Sequence, residues 1–167
     1  DAISLMPTNL YGPGDNYHPT NSHVIPSLIR KFCEAKRFSD LRVNCWGDGS
    51  PLREFLHVDD LGDAIIFALE NWDPSSSNAP KDENNNNLTI LNVGTGKDIS
   101  IKDLAYKISN LVNYKGKIIW DKNKPDGTPR KLLNISKIKE LGWEPKISLE
   151  EGIKAAVKSF KKENKFI

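Results

Sequence analysis

The chain has 167 residues, of which 38% are hydrophobic and 28% are charged, and its formal net charge is +2. This length allows one domain with a real core, and the composition is that of an ordinary soluble globular protein rather than a nucleic-acid binder, which usually has a concentrated basic face. No apolar run approaches the ~20 residues of a membrane span, and the chain opens on Asp1 without a signal-peptide pattern. We therefore expect a cytoplasmic protein with no membrane or nucleic-acid partner.

The first part of the chain predicts a strand, a long loop and a helix. Residues 2–6 form a short apolar run that indicates a buried strand, ended by the proline that follows. A loop rich in turn-forming residues continues to about Ser22, and such loops commonly carry function. Apolar residues recur at helical spacing over residues 23–36, where Asn21 or Ser22 could provide the N-cap and Pro26 lies in the first turn.

The middle of the chain alternates between strand and helix patterns. Leu41 to Trp46 and Arg53 to Val58 predict two strands on either side of a glycine-rich turn. A helix follows, and we expect residues 58–60 to cap it. Residues 74–87 are rich in Ser and Asn, which predicts a flexible surface linker.

The last part of the chain continues this alternation. Leu88 to Val93 is a nearly continuous apolar run, which is typical of a central strand buried on both faces. The turn Gly94-Thr95-Gly96 lacks the third glycine of the dinucleotide fingerprint and is weak evidence for dinucleotide binding. Ser100 and Ser148 are predicted to cap two further helices, with a strand at residues 117–120 between them. The order of elements predicts an α/β fold.

The three histidines and two cysteines have different expected roles. His23 lies where the polar loop meets the helix, and a histidine there can act as a general acid or base, or can simply pack or cap. His57 is better explained as a hydrogen-bonded structural residue and His18 as an exposed one. Cys33 and Cys45 are too few for a zinc site and are expected to be buried free thiols, although a single disulfide is also open.

Several cations and one tryptophan lie near turns. Lys31, Arg53, Arg130 and Lys131 would suit a phosphate-bearing ligand, because charge-assisted hydrogen bonds are the strong ones. Taken singly, each is best explained as surface charge. Trp46 could pack over a base or a sugar, or it could belong to the core.

Five longer segments resemble a known family. They are PTNLYGP from Pro7, HPTNSHVIP from His18, WGDGSPLREFLHVDDL from Trp46, LNVGTG from Leu91 and KPDGTPRK from Lys124. Together they resemble the GDP-L-fucose synthase family of the extended short-chain dehydrogenases/reductases, and the match covers nearly the whole chain apart from the Asn-rich linker. The REFLHVDD and NVGTG pieces are shared with nucleotide-sugar epimerases and dehydratases in general, whereas HPTNSHVIP and KPDGTPRK are more particular to the fucose synthases.

The resemblance implies an activity, a cofactor and site residues. Members of that family epimerise C3 and C5 of GDP-4-keto-6-deoxy-D-mannose and then reduce C4 with NADPH. The 4-keto group acidifies the neighbouring C–H bonds, and in the family a cysteine and a histidine share the proton transfers; His23 matches the histidine. The implied NADP-binding residues are Pro7, Thr8, Asn9, Leu10 and His23, and the implied GDP-sugar-binding residues are Lys31, Trp46, Arg53, Asp126, Arg130 and Lys131.

The resemblance also implies what this chain does not contain. The family's cysteine, its catalytic serine, its Tyr-xxx-Lys pair and its glycine-rich NADP loop have no counterpart here, and neither Cys33 nor Cys45 occupies the cysteine's motif. We therefore expect residues 1–167 to be the C-terminal part of an extended short-chain dehydrogenase/reductase, inactive alone and homodimeric in the full-length protein. In this interpretation residues 1–12 and 88–96 are the last strands of the Rossmann sheet, and the rest is the small α/β substrate-binding domain.

Two other functions remain open at this point. The chain could belong to another nucleotide-sugar epimerase or dehydratase of the extended family, because the more widespread motifs are common to all of them. It could also be a nucleotide-sugar binding module without catalysis. No metal site is expected.

Overall fold

The computed structural model describes residues 2–164. Strands and helices alternate along the chain, as the α/β prediction requires. The strands are β1 (Ser4–Pro7), β2 (Asn9–Tyr11), β3 (Arg42–Trp46), β4 (Leu52–His57), β5 (Ile90–Val93), β6 (Asp98–Ser100), β7 (Lys117–Asp121) and β8 (Arg130–Lys131). The helices are α1 (Val24–Arg37), α2 (Val58–Asn71), α3 (Ile101–Val112), α4 (Ser136–Glu140) and α5 (Leu149–Glu163).

Strand β4 pairs with three other strands and connects most of the sheet structure around the cavity described below. It pairs in parallel with β2 and β8 and antiparallel with β6. Two further parallel pairs stand apart from it, β1 with β5 and β3 with β7. Because β4 contacts segments that are far apart in the chain, it fixes the positions of several loops at once.

The main hydrophobic core lies among α1, α3 and α5. Ile29, Phe32, Leu104, Ile108 and Ile153 are fully buried there. These residues follow the helical spacing of the sequence, so the predicted amphipathic helices are confirmed. The serine caps are confirmed as well: Ser100 accepts from the backbone N–H of Asp103, and Ser148 forms a capping box with Glu151.

The two other helix starts differ from the prediction, because a histidine occupies each N-cap position. His23 precedes α1 without a side-chain cap, so neither Asn21 nor Ser22 provides one. His57 precedes α2, and its ring accepts from the backbone N–H of Asp59 at 3.2 Å. The predicted cap at residues 58–60 is therefore wrong, whereas the structural role predicted for His57 is confirmed.

The burial predicted for the first and fifth strands is wrong. β1 is mostly exposed and extends to Pro7, which pairs with Val93. In β5, Leu91 and Val93 are buried but Ile90 is 53% exposed. The physical reason is that one face of this small sheet, with Leu5 and Leu91, packs against Trp72, whereas the other face, with Met6 and Ile90, is not covered by residues 2–164.

Other local features were only partly foreseen. β2 lies inside the stretch predicted as loop, and it pairs with β4. The Asn-rich stretch 74–87 is held by internal hydrogen bonds, with the Asp82 carboxylate accepting from the backbone N–H groups of Asn84 and Asn86; its flexibility stays a prediction. Cys33 and Cys45 are buried and free, as expected. In residues 2–164 no helix has the length and apolar character needed to cross a membrane.

Candidate functional site

A cavity of about 820 Å³ opens between the loop before α1, the start of α1, the ends of β3 and β4, and the loop at residues 122–129. It brings together most of the residues that the sequence predicts for the site. The predicted residues that line it are Thr8, Asn9, Leu10, His23, Lys31, Trp46, Arg53 and Asp126.

Three predicted residues are not among those that line the cavity. Pro7 is in β1, paired with Val93. Arg130 and Lys131 form β8 on the edge of β4, and the Arg130 guanidinium makes an ion pair with Asp98. Ligand contacts by these three residues stay predictions.

His23 occupies the rim of the cavity at the N-terminus of α1. Its side chain is exposed, and within residues 2–164 no hydrogen bond to its ring is present. Asp15, which sequence reasoning missed, lines the same cavity. Burial raises the pKa of the Asp15 carboxyl, and the Asn16 backbone N–H and the nearby His23 oppose this rise. A histidine and a carboxyl group thus share one wall, which suits proton transfer to a ligand.

The loop that carries His23 is held by its own polar side chains. Asn16 accepts from the backbone N–H of His18 at 3.0 Å and donates to the carbonyl of Asn21 at 3.1 Å. The His18 ring, exposed as predicted, accepts from the backbone N–H of Asn21 at 3.2 Å. Arg30 on α1 donates to the carbonyl of Tyr17 at 3.0 Å. These bonds give the loop a defined shape, so His23 is presented at a fixed place.

A second part of the cavity lining carries two cations, Lys31 on α1 and Arg53 on β4, whose side chains are anchored to the backbone. The Lys31 ammonium donates to the carbonyl of Asn44 at 3.0 Å, and the Arg53 guanidinium donates to the carbonyl of Leu52 at 2.7 Å. Each cation retains further N–H donors, because lysine has three and arginine five. This wall can bind a diphosphate by charge-assisted hydrogen bonds.

Trp46 is the aromatic residue at the edge of that wall. Its side chain is 62% exposed, and the Lys124 ammonium lies 5.6 Å from its ring centroid. The core alternative for Trp46 is therefore wrong, since β3 directs it outward. An exposed aromatic face beside two cations is suited to a planar base next to a diphosphate.

Asp126 holds the loop at residues 122–129 over the cavity. Its carboxylate accepts from the backbone N–H of Asp48 at 2.8 Å. Gly47 has φ +72°, and a Cβ there would collide with the Asp126 carboxylate, so the glycine permits this close approach. The structure thus shows Asp126 as an anchor of the loop, and its contact with a ligand stays a prediction.

Metal ligands do not cluster in the part of the chain that the structure describes. Between residues 2 and 164 no group of three or more His, Cys, Asp or Glu side chains is arranged to hold an ion. The thiol of Cys45, which also lines the cavity, has its pKa raised by burial, an effect that Lys31 opposes.

Comparisons with known proteins agree with the motifs. The model of a family described as the NAD dependent epimerase/dehydratase family matches residues 1–86. The chain is 54% identical over 153 residues to "Probable GDP-L-fucose synthase 1" of Oryza sativa subsp. japonica, covering 92% of this chain and 43% of that protein. It is 48% identical over 168 residues to "GDP-L-fucose synthase" of Escherichia coli (strain K12), covering 96% and 49%.

A solved structure with the same arrangement is MlghC, a GDP-mannoheptose C4 reductase from Campylobacter jejuni with NADP bound. The TM-score is 0.78 at 35% identity, and the match covers 95% of this chain and 49% of that one. The predicted α/β fold and the resemblance to the GDP-L-fucose synthases are thereby confirmed. The chain spans less than half the length of the two curated relatives above.

Proposed function

The chain belongs to the NAD dependent epimerase/dehydratase family, and from that premise we propose that it is the C-terminal, substrate-binding part of an NADP-dependent GDP-L-fucose synthase. The whole enzyme would epimerise C3 and C5 of GDP-4-keto-6-deoxy-D-mannose and reduce C4. The observation that carries the proposal is one cavity that joins His23 to Lys31, Arg53 and Trp46.

The cationic wall would bind the GDP part of the substrate. Arg53 offers a planar fork of donors that matches phosphate oxygens, and Lys31 adds a second positive charge. Trp46 provides an exposed ring for the base. With the diphosphate at this wall, the sugar extends into the cavity towards the loop that carries His23.

His23 would exchange protons with the sugar. The 4-keto group lowers the pKa of the C3 and C5 protons, so epimerisation needs one group to remove a proton and another to return one on the opposite face. A histidine can do either near neutral pH. Its ring makes no hydrogen bond within residues 2–164, which leaves both nitrogens available for a ligand. Asp15 lines the same cavity and provides a second group that can exchange protons there.

The segment from Thr8 to Leu10 would adjoin the nicotinamide of NADP, which supplies the hydride to C4 when bound. This segment fits that end of the cofactor, because it offers a neutral wall whose Thr8 and Asn9 side chains are fixed on the Glu54 carbonyl. No glycine-rich loop that would hold the cofactor's phosphates is present in the described residues. The remaining part of a longer protein would have to provide it.

Exposed apolar surface supports the existence of that remaining part. Leu69 and Ile66 on α2 are 71% and 59% exposed, and Met6 on β1 is 54% exposed. β1 pairs with one strand only among residues 2–164, so one of its edges has no partner there. Large exposed apolar groups beside an unpaired strand are usually covered in the assembled protein. A homodimer and a cytoplasmic location belong to the same proposal.

Turnover by the full-length protein that contains this chain tests the proposal. With GDP-4-keto-6-deoxy-D-mannose and NADPH we expect NADPH oxidation and formation of GDP-L-fucose, whereas a chain limited to residues 1–167 should bind GDP without turnover. Absence of NADPH oxidation on this substrate, with GDP still bound, would instead support a binding module.

A C4 reductase without epimerase activity is the second candidate, favoured by the likeness to the GDP-mannoheptose C4 reductase. Turnover in D₂O separates the two. Epimerisation through carbanions leaves solvent deuterium at C3 and C5 of the product, whereas reduction of C4 alone leaves both positions unlabelled.

A further inference from the structure

Glu54 is a fully buried carboxylate on β4, next to Arg53 but on the other side of the strand. Arg53 lines the cavity, and Glu54 is enclosed behind it. Among residues 2–164 no lysine, arginine or histidine forms an ion pair with Glu54. A buried carboxylate without a cation is costly unless hydrogen bonds stabilise it.

The partners of the carboxylate are backbone N–H groups from two distant segments, together with the Thr95 hydroxyl, which donates to Oε1 at 3.4 Å. One oxygen, Oε1, accepts from the backbone N–H of Thr95 at 2.6 Å and of Gly96 at 2.7 Å. The other oxygen, Oε2, accepts from the backbone N–H of Leu133 at 2.9 Å. A Cβ at Gly94 would collide with Oε1, so this glycine allows the turn to close on the carboxylate. The Gly94-Thr95-Gly96 turn therefore binds a carboxylate of its own protein.

The main chain of Glu54 holds a third segment. Its carbonyl accepts from the Thr8 hydroxyl at 3.3 Å and from the Asn9 amide at 2.8 Å. Thr8 and Asn9 line the cavity at the end assigned above to the nicotinamide. One residue thus connects that end of the cavity with the strand that presents Arg53.

We infer that Glu54 is a positioning residue: its carboxylate fixes the β4 backbone against the turn and Leu133, and that backbone presents Arg53 of the cationic wall and, through the Glu54 carbonyl, holds the segment beside the reacting sugar. The inference rests on the proposed function. If the two ends of a substrate are held by separate segments, the reacting carbon is placed correctly only when those segments are rigidly joined, and a displacement of about 1 Å can lower a rate roughly 100-fold.

A carboxylate is required because both oxygens face donors. A Glu54→Gln variant has nearly the same size and shape. Its NH₂ group, however, would face either the N–H groups of the turn or the N–H of Leu133, so two hydrogen-bond donors would point at each other. In a Glu54→Asp variant the acceptors remain, but the side chain is one methylene shorter and does not reach both segments. The two variants therefore weaken in different ways the bonds that fix the β4 backbone, while the Glu54 carbonyl remains in both.

The test uses steady-state kinetics of the full-length protein at a temperature where every variant is folded, with kcat expressed per folded site. We expect Glu54→Gln to lower kcat roughly 10- to 100-fold and to raise the KM for the GDP-sugar much less, because Arg53 and Lys31 still bind the diphosphate. Glu54→Asp should be intermediate. Ser148→Ala, which loses the α5 cap at a residue that does not line the cavity, is the matched destabilised control and should keep both kcat and KM.

Two results would overturn the inference. If Glu54→Gln kept the wild-type kcat per folded site, or if neither Glu54 variant folded, the residue would serve the fold alone. A wild-type protein that did not turn over the substrate would contradict the proposed function itself, so the two failures can be distinguished.

Discussion

The two walls of the cavity differ in how their polar groups are held. On the loop wall, His23 is exposed and no hydrogen bond engages its ring within residues 2–164. On the β4 wall, the Arg53 guanidinium and the Glu54 carboxylate are both fixed on backbone groups. A group that gains and loses protons is most useful when its nitrogens are free, whereas a binding group is most useful when it is ordered beforehand. The difference supports the proposal that the loop wall transfers protons and the strand wall positions the substrate.

The largest effect is expected on the loop wall. In the full-length protein, His23→Gln should lower deuterium incorporation at C3 and C5 about 100-fold or more, the usual contribution of a general acid or base. Binding of NADPH, measured by fluorescence, should change little. The control is His18→Asn, whose side-chain oxygen can still accept the N–H of Asn21. Equal activity of the His23 variant and this control would remove His23 from the mechanism.

The next effect is expected on the strand wall and concerns affinity. Arg53→Gln should weaken binding of GDP, measured by calorimetry, by about tenfold or more, since a hydrogen bond to a charged group contributes ~1.5–3 kcal/mol. Arg42→Gln on β3 is the matched control, because Arg42 is exposed and does not line the cavity. If both variants bound GDP as the wild type does, the diphosphate would not lie at this wall.

A third prediction concerns the two buried thiols, of which that of Cys45 lines the cavity. Burial raises the pKa of Cys45 and raises that of Cys33 to about 11. Both thiols should therefore resist alkylation by iodoacetamide at pH 8 in the folded chain and react fully in denaturant, as measured by mass spectrometry. Rapid labelling of Cys45 in the folded chain would mean that the wall opens further than the structure shows.

The smallest expected effect is a pH-dependent change in melting temperature caused by Asp15 on the loop wall. Burial raises the pKa of Asp15 above its usual value of 3.8. Asp15 therefore favours the folded state at pH below 3.8, and this contribution is lost as the pH rises through the pKa that Asp15 has in the folded protein. Asp15→Asn should therefore raise the melting temperature slightly at pH 7 and leave it unchanged near pH 3. An equal change in melting temperature at both pH values would contradict the raised pKa of Asp15.

The sequence predicted the helices better than the strands, for reasons that particular residues show. α3 and α5 have apolar spacing and a serine cap, and both signals are local. β2 and β6 have three residues each, which is too short for a period of two to be recognised. The exposure of Ile90 depends on what packs against the sheet, and an apolar run does not encode that.

Several residues that line the cavity were predicted, whereas the bonds that hold them were not. The family resemblance implied His23, Lys31, Trp46 and Arg53 as site residues, and the fold brings these together in one cavity. The bond between Glu54 and Leu133 joins residues 79 positions apart, and no local pattern reveals it. The same holds for Asp15, whose relation to His23 depends on the shape of the loop.

A crystal structure of the full-length protein with GDP-L-fucose tests the assignment of this cavity most directly. We expect the diphosphate within hydrogen-bond distance of Arg53 and Lys31, the guanine against Trp46, and the fucose between His23 and the segment from Thr8 to Leu10. A diphosphate bound outside the cavity, or a sugar directed away from His23, would contradict it.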